Sequence, residues 1–91
     1  MTRREIKLIR EIAERAVKLS AKLGAGKWLL SDAVMDITCA HRSCGLRLDD
    51  LLAADDFNFA HDVFGINRHL DHETLELKDH FRPRFAARVV A

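Results

Sequence analysis

Apolar residues in the first quarter of the chain recur at three- and four-residue steps. Ile6, Ile9, Ala13, Ala16 and Leu23 form one row, widened by Ile12, Val17 and Leu19. That period is the period of a helix face, so residues 3 to 23 are predicted as a long amphipathic helix. Thr2 and Glu5 stand at T-x-x-E spacing. In such a capping box the hydroxyl and the carboxylate each satisfy a backbone N–H at the helix start. Gly24 and Gly26 are expected to end the helix, because glycine enters the left-handed conformation readily. Arg3, Lys7, Arg10 and Lys18 fall on another face, broken by Glu14.

Three shorter helices are read next. One spans about 32 to 43, capped by Ser31 or Asp32, with an apolar row Leu30, Val34, Ile37 leading to His41 and Cys44; Gly45 stops it. Another spans about 48 to 54 and carries Leu48, Leu51 and Leu52. The last spans about 56 to 64, capped by Asp55 or Asp56 and ended by Gly65. On it Phe57, Ala60 and Phe64 share a face, with Phe59 and Val63 beside them. The period then changes. Leu75, Leu77, Phe81, Pro83 and Phe85 occupy odd positions, and Glu76, Lys78, His80, Arg82 and Arg84 even ones, which is a strand signal. Ile66, Arg68 and Leu70 alternate likewise, and residues 71 to 74 suit a turn. A C-terminal β-hairpin over 66 to 85 follows, with a short helix over 72 to 80 as the competitor. The fold class is α+β and mainly helical: a long N-terminal helix, two to three shorter helices and a C-terminal hairpin.

Ninety-one residues, 48% apolar and 32% charged, suffice for one folded domain over 1–91 and not for two cores. A chain this short is marginally stable alone. A homodimer through the Ile stripe of the N-terminal helix would add buried surface. No apolar run approaches the roughly 18 to 20 residues that cross a bilayer, and the start lacks a leader pattern, so a cytoplasmic protein is expected. Cys39 and Cys44 are too few for a disulfide scaffold. Five positions apart on one helix they would point apart, so free thiols are expected.

The net charge of +1 hides a segregation. Residues 1 to 27 carry eight Lys or Arg against three acids, and residues 28 to 62 carry two Arg against seven Asp. Either the basic helix neutralises the acidic middle, or the two are contact surfaces for partners.

Two stretches hold most of the candidate chemistry: Cys39 to Cys44, and Leu51 to Arg68 with its three Phe and three Asp. Cys39, His41 and Cys44, with His61 as a fourth ligand, form the candidate metal set. The spacing matches no common zinc pattern, and on one helix Cys39 points away from His41. The bland reading is two small apolar thiols and a hydrogen-bonded histidine. His61-Asp62 is similar to the metal-binding pair of some phosphohydrolases, but a dipeptide is a weak signal. A helix-capping and core role for residues 55 to 64, with an Asp62–Arg68 pair, explains the same residues. Cys39 or Cys44 with His41 would orient poorly as a thiol–imidazole nucleophile. No Ser-His-Asp, P-loop or G-x-G-x-x-G arrangement exists. No catalytic residue and no cofactor are therefore assigned, and a non-enzymatic protein is expected.

Binding readings remain. Arg3, Arg4, Lys7, Arg10 and Lys18, with Arg82, Arg84 and Arg88 beside Phe81 and Phe85, are the candidate nucleic-acid surface. Asp49, Asp50, Asp55 and Asp56 are the candidate protein-binding surface, an acidic face able to mimic phosphates to a basic partner.

The run from Met35, MDITCAHRSCGLRLDDLLAADDFNFAHDVFGINRHLD, with its PRFA ending at Ala86, resembles small uncharacterised proteins of bacteriophages and prophages. That resemblance implies no activity, cofactor or site residue. It implies a setting in which small proteins bind host or phage macromolecules, as inhibitors of host factors or defence systems.

Overall fold

The computed structural model describes residues 1–24, 28–78, 81 and 83–85. It is mainly helical, with four helices and a two-stranded antiparallel sheet. Helix α1 runs Arg3–Leu23. Its capping box is formed: Thr2 Oγ1 accepts from the Glu5 N–H, and Glu5 Oε1 accepts from the Thr2 N–H, both at 3.1 Å. Gly24 closes it at φ 65°. Gly26 lies outside the described residues.

Helix α1 is the central element, packed on α2 (Leu30–Cys44), α3 (Leu48–Ala53) and α4 (Asp56–His69). The core is built from Ile9, Ile12, Ala13, Ala16 and Leu19 of α1, Ala33, Ile37 and Ala40 of α2, Leu46, Leu48 and Leu51, and Phe59, Val63 and Ile66 of α4. The Ile stripe is thus buried inside the monomer. Of the expected row, Ile6 and Leu23 are left exposed at its two ends, so the stripe offers little seam to a second copy.

Several boundaries move for identifiable reasons. Helix α2 starts at Leu30 after an N-cap Leu29 without a side-chain cap bond, rather than at Ser31 or Asp32. Its inward row is Ala33, Ile37 and Ala40, joined by a buried Asp36, and Leu30 is exposed. Small alanines let α1 and α2 approach closely where larger residues would hold them apart. Asp55 caps α4 as expected, accepting from the Asn58 N–H at 2.8 Å. The helix does not stop at Gly65 but continues to His69. Glycine there serves close packing: the Phe81 ring occupies the space that a β-carbon at 65 would need.

The hairpin is short. Strands β1 (Leu70–Asp71) and β2 (Glu76–Leu77) pair antiparallel, Leu70 opposite Leu77 and Asp71 opposite Glu76. Ile66 and Arg68 are helical, and the competing helix over 72 to 80 is absent from its described residues, 72–78. The turn falls where the sequence placed it. Asp71 Oδ1 accepts from the N–H groups of Glu73 (2.9 Å) and Thr74 (3.2 Å). These backbone bonds hold the Asp71 carboxyl below the usual carboxylate range. Beyond β2 the alternation reflects packing rather than pairing. Pro83 is buried, and Phe81 and Phe85 lie half-buried against the helical core.

Candidate functional site

The charge segregation resolves in part within the molecule, through two ion pairs between α1 and the acidic middle. Arg4 of α1 pairs with Asp49 at 2.8 Å, both well exposed. Arg15 reaches across from the middle of α1 to the α3–α4 junction. It donates to the carbonyls of Leu52 and Ala54 at 2.7 Å each and to Asp56 at 3.0 Å, and its guanidinium lies 4.1 Å over the Phe59 ring. Two orphan carbonyls at the end of α3 are thereby satisfied by one planar cation. Arg47 pairs with Asp50 at 3.2 Å, and Asp55 is committed to the α4 cap. Each of the four aspartates of the expected acidic surface therefore has an intramolecular partner.

The candidate metal ligands are not brought together. His41 sits near the start of α1, with Nε2 2.6 Å from Glu5 Oε2 and Nδ1 2.9 Å from the Leu46 carbonyl. Each ring nitrogen thus faces an oxygen, which fixes the orientation of the imidazole. Glu5 is held down to about 2, first by its backbone bond at Thr2 and then by the His41 hydrogen bond. Cys44 donates to the Ala40 carbonyl. Cys39 is half-buried, and burial, with Asp36 nearby, pushes its thiol up, away from nucleophile chemistry. Neither cysteine is in a disulfide. His61 lies at the other end of α1, beside Leu19, Lys22 and Leu23. Among the described residues no three His, Cys, Asp or Glu side chains could hold a metal ion. The candidate set of Cys39, His41, Cys44 and His61 does not converge, because a length of α1 separates His41 from His61. Asp62, fully buried, lies 3.1 Å from His61 Nδ1 and accepts from the Phe85 N–H at 3.3 Å, tying down the tail instead of pairing with Arg68.

Of the basic candidates, Arg4 is paired, and Arg84 donates to Asn58 and sits over the Phe85 ring. Arg3, Lys7, Arg10 and Lys18 are exposed. Arg82 and Arg88 lie outside the described residues.

The surface that stands out was not singled out by composition. Between the C-terminal part of α1 and the outer face of α4 runs an apolar groove of about 530 Å³. Leu19, Leu23, Ala60, Phe64, Gly65 and Phe81 line it, and Phe57 stands at its edge, 80% exposed. Lys22, Arg68, His61 and His69 add basic or titratable groups, with Asp56 the single acid, already held by Arg15. Phe57 was read as core; it belongs to the groove. The face shared by Phe57, Ala60 and Phe64 was legible in the sequence. That the core takes Phe59 and Val63 and leaves this face open was not.

The model of one protein family, described as a family of unknown function (DUF6874), matches residues 4–87. The chain belongs to this family. No curated protein and no solved structure matches it. Family membership spans all four helices and the small sheet, and it carries no activity with it. Among the described residues, no helix is long and apolar enough to cross a membrane.

Proposed function

We propose that this protein is a non-enzymatic binding protein that engages an amphipathic, acidic segment of a protein partner through the α1–α4 groove. The observation that carries this is Phe57. A phenylalanine four-fifths exposed beside an open apolar groove is the arrangement of an interface anchor. The groove's apolar lining suits the apolar face of an amphipathic helix. Its charge selects the flank: Lys22 and Arg68 face outward with Asp56 neutralised, so an acidic partner fits. The earlier lead, an acidic surface for a basic partner, is weaker because its four carboxylates are engaged. The resemblance to phage and prophage proteins makes host factors and defence proteins the partners to try first.

A photoreactive phenylalanine analogue at position 57, against the same probe at position 50, tests this in lysate. The expected result is a discrete cross-linked protein from position 57 that disappears with Lys22→Glu and Arg68→Glu. Adducts from position 50 alone would overturn the assignment of the groove.

A second reading has one observation behind it. Arg3, Lys7, Arg10 and Lys18 are exposed on one helix and, among the described residues, form no ion pair. If they contact nucleic-acid phosphates, retention on DNA falls steeply with salt. A salt slope near zero would exclude it.

A further inference from the structure

The His61–Asp62 pair, excluded as a metal site, forms a carboxylate–imidazole dyad at the α1–α4 groove. We propose that His61 Nε2 is a phosphoryl-acceptor site, modified by a donor of the phosphoramidate class.

The dyad joins a buried group to an exposed one. The Asp62 side chain is fully buried, and that of His61 is 66% exposed. Asp62 Oδ1 lies 3.1 Å from His61 Nδ1, and Oδ2 accepts from the Phe85 N–H at 3.3 Å. Both oxygens thus face donors, as an ionised carboxylate requires. Such a carboxylate only accepts, so the ring proton sits on Nδ1 and the lone pair is left on Nε2. Among the described residues Nε2 has no hydrogen-bond partner. Attack from Nε2 places positive charge on the ring, and the Asp62 carboxylate is already in place to stabilise it. The other described histidines lack this arrangement. Both ring nitrogens of His41 face oxygens, and His69 is half-buried with its ring stacked on Phe81. His72 is exposed, and no carboxylate is bonded to its ring among the described residues. His80 lies outside them.

The surroundings suit a phosphoryl group. Lys22 and Arg68 line the same groove and are exposed, with Arg68 two turns beyond His61 on one face of α4. Asp56, the one acid of the lining, is held by Arg15. Phosphoryl transfer asks a protein mainly for position and positive charge. In the reaction the Nε2 lone pair bonds to phosphorus as the donor's P–N bond breaks. The donor's protonated nitrogen takes the bonding pair and leaves as ammonia. The Nδ1 proton stays between the ring and Asp62, so the product is a phosphorylated imidazolium paired with a carboxylate. The new group brings a charge of about −1.5 to −2 into the groove. A consequence follows that rests on the proposed function: the modified chain releases its acidic partner segment.

The test incubates the purified chain with potassium phosphoramidate and maps acid-labile phosphate by mass spectrometry, with the attachment atom read by phosphorus–proton correlation NMR. His61 is expected to take phosphate at Nε2 about tenfold faster than His72, because a hydrogen bond to a charged acceptor is roughly twice as strong as one to a neutral acceptor. Asp62→Asn keeps the shape and removes the charge, and should slow His61 by about the same factor while leaving His72 unchanged. An equal or faster reaction at His72, attachment at His61 Nδ1, or no phosphate on His61 would each overturn the proposal. The two histidines are compared within the wild-type chain, so the matter is decided even if Asp62→Asn fails to fold. The photoreactive probe at position 57 then reads the consequence. An adduct lost on phosphorylation supports the switch, and an unchanged adduct overturns it. No adduct from either form would remove the groove reading and the switch with it, while the acceptor site stands on the phosphate mapping alone.

Discussion

Phe57 and Phe59 stand two residues apart at the start of α4, and they have opposite environments. Phe59 is fully buried under the Arg15 guanidinium; Phe57 is 80% exposed beside an open groove. The residue type is the same and the helix is the same. The difference is about 200° of rotation. One face of α4, Phe59, Asp62, Val63 and Ile66, is closed by the other helices, while the face carrying Phe57, Ala60 and Phe64 is only partly covered. Fold stability and partner recognition are therefore expected to separate cleanly on this one helix, and substitutions on the two faces can show whether they do.

The largest effect is expected at Phe59. Truncation to Ala removes a fully buried ring and leaves Arg15 above a void, at a cost of about 3–5 kcal/mol. Chemical denaturation of Phe59→Ala measures it; a loss under about 1 kcal/mol would mean that α4 is not anchored by this face. Arg15→Ala comes next. Its side chain is mostly buried, and its removal uncovers the Leu52 and Ala54 carbonyls as well as the Phe59 ring. A loss of about 2 kcal/mol is expected. Arg4→Ala, which breaks an exposed pair, should stay within about 0.5 kcal/mol.

A smaller effect is separable by pH. Glu5 is held near 2 in the folded chain, below its ordinary value near 4.5. The folded state thus favours the ionised form. Its contribution is fully present above about pH 4.5 and is lost as pH falls toward 2. Glu5→Gln should remove that part of the acid dependence, so the wild-type and variant stability curves converge as pH falls. Parallel curves across this window would show that the Thr2 and His41 contacts do not bias the carboxyl. Gly65→Ala is expected to change stability by less than about 1 kcal/mol. A better helix former is gained, about 1 kcal/mol in an open helix, and the Phe81 ring must leave its place. The sensitive readout is the His69 ring, now stacked on Phe81 at 4.8 Å, whose resonances should move.

How much was legible in the sequence follows from the range of each interaction. Local devices could be read: the Thr2–Glu5 box, the Asp55 cap, the Gly24 stop and the turn at Asp71 are all set by residues within three positions of one another. Long-range contacts could not. Gly65 reads as a helix stop until Phe81 is seen packed against it. The burial of Asp36 becomes intelligible only when Asn67, thirty-one positions later, is found bonded to it. The alternation from 75 to 85 looked like a strand, but only Glu76–Leu77 pair, while Leu77, Phe81 and Phe85 are laid against the helical core. The charge segregation was visible as numbers. Its resolution through Arg4–Asp49 and Arg15–Asp56 needed the packing of α1 on α3 and α4.

An effect on stability as small as that of Arg4→Ala, and the most informative for function, is expected at Phe57. Replacement by Ser takes away a ring that contributes little to the core, so unfolding should change by no more than about 0.5 kcal/mol. Removing an exposed apolar ring from a groove edge should also improve solubility, because such a ring favours self-association. If Phe57 is a partner anchor, the same substitution should weaken partner binding by 2 kcal/mol or more, the range of an aromatic hot spot. Stability and binding would then respond in opposite order at two phenylalanines of one helix. A Phe57→Ser chain that unfolds as readily as Phe59→Ala would instead place Phe57 in the stabilising core and remove the groove as an interface.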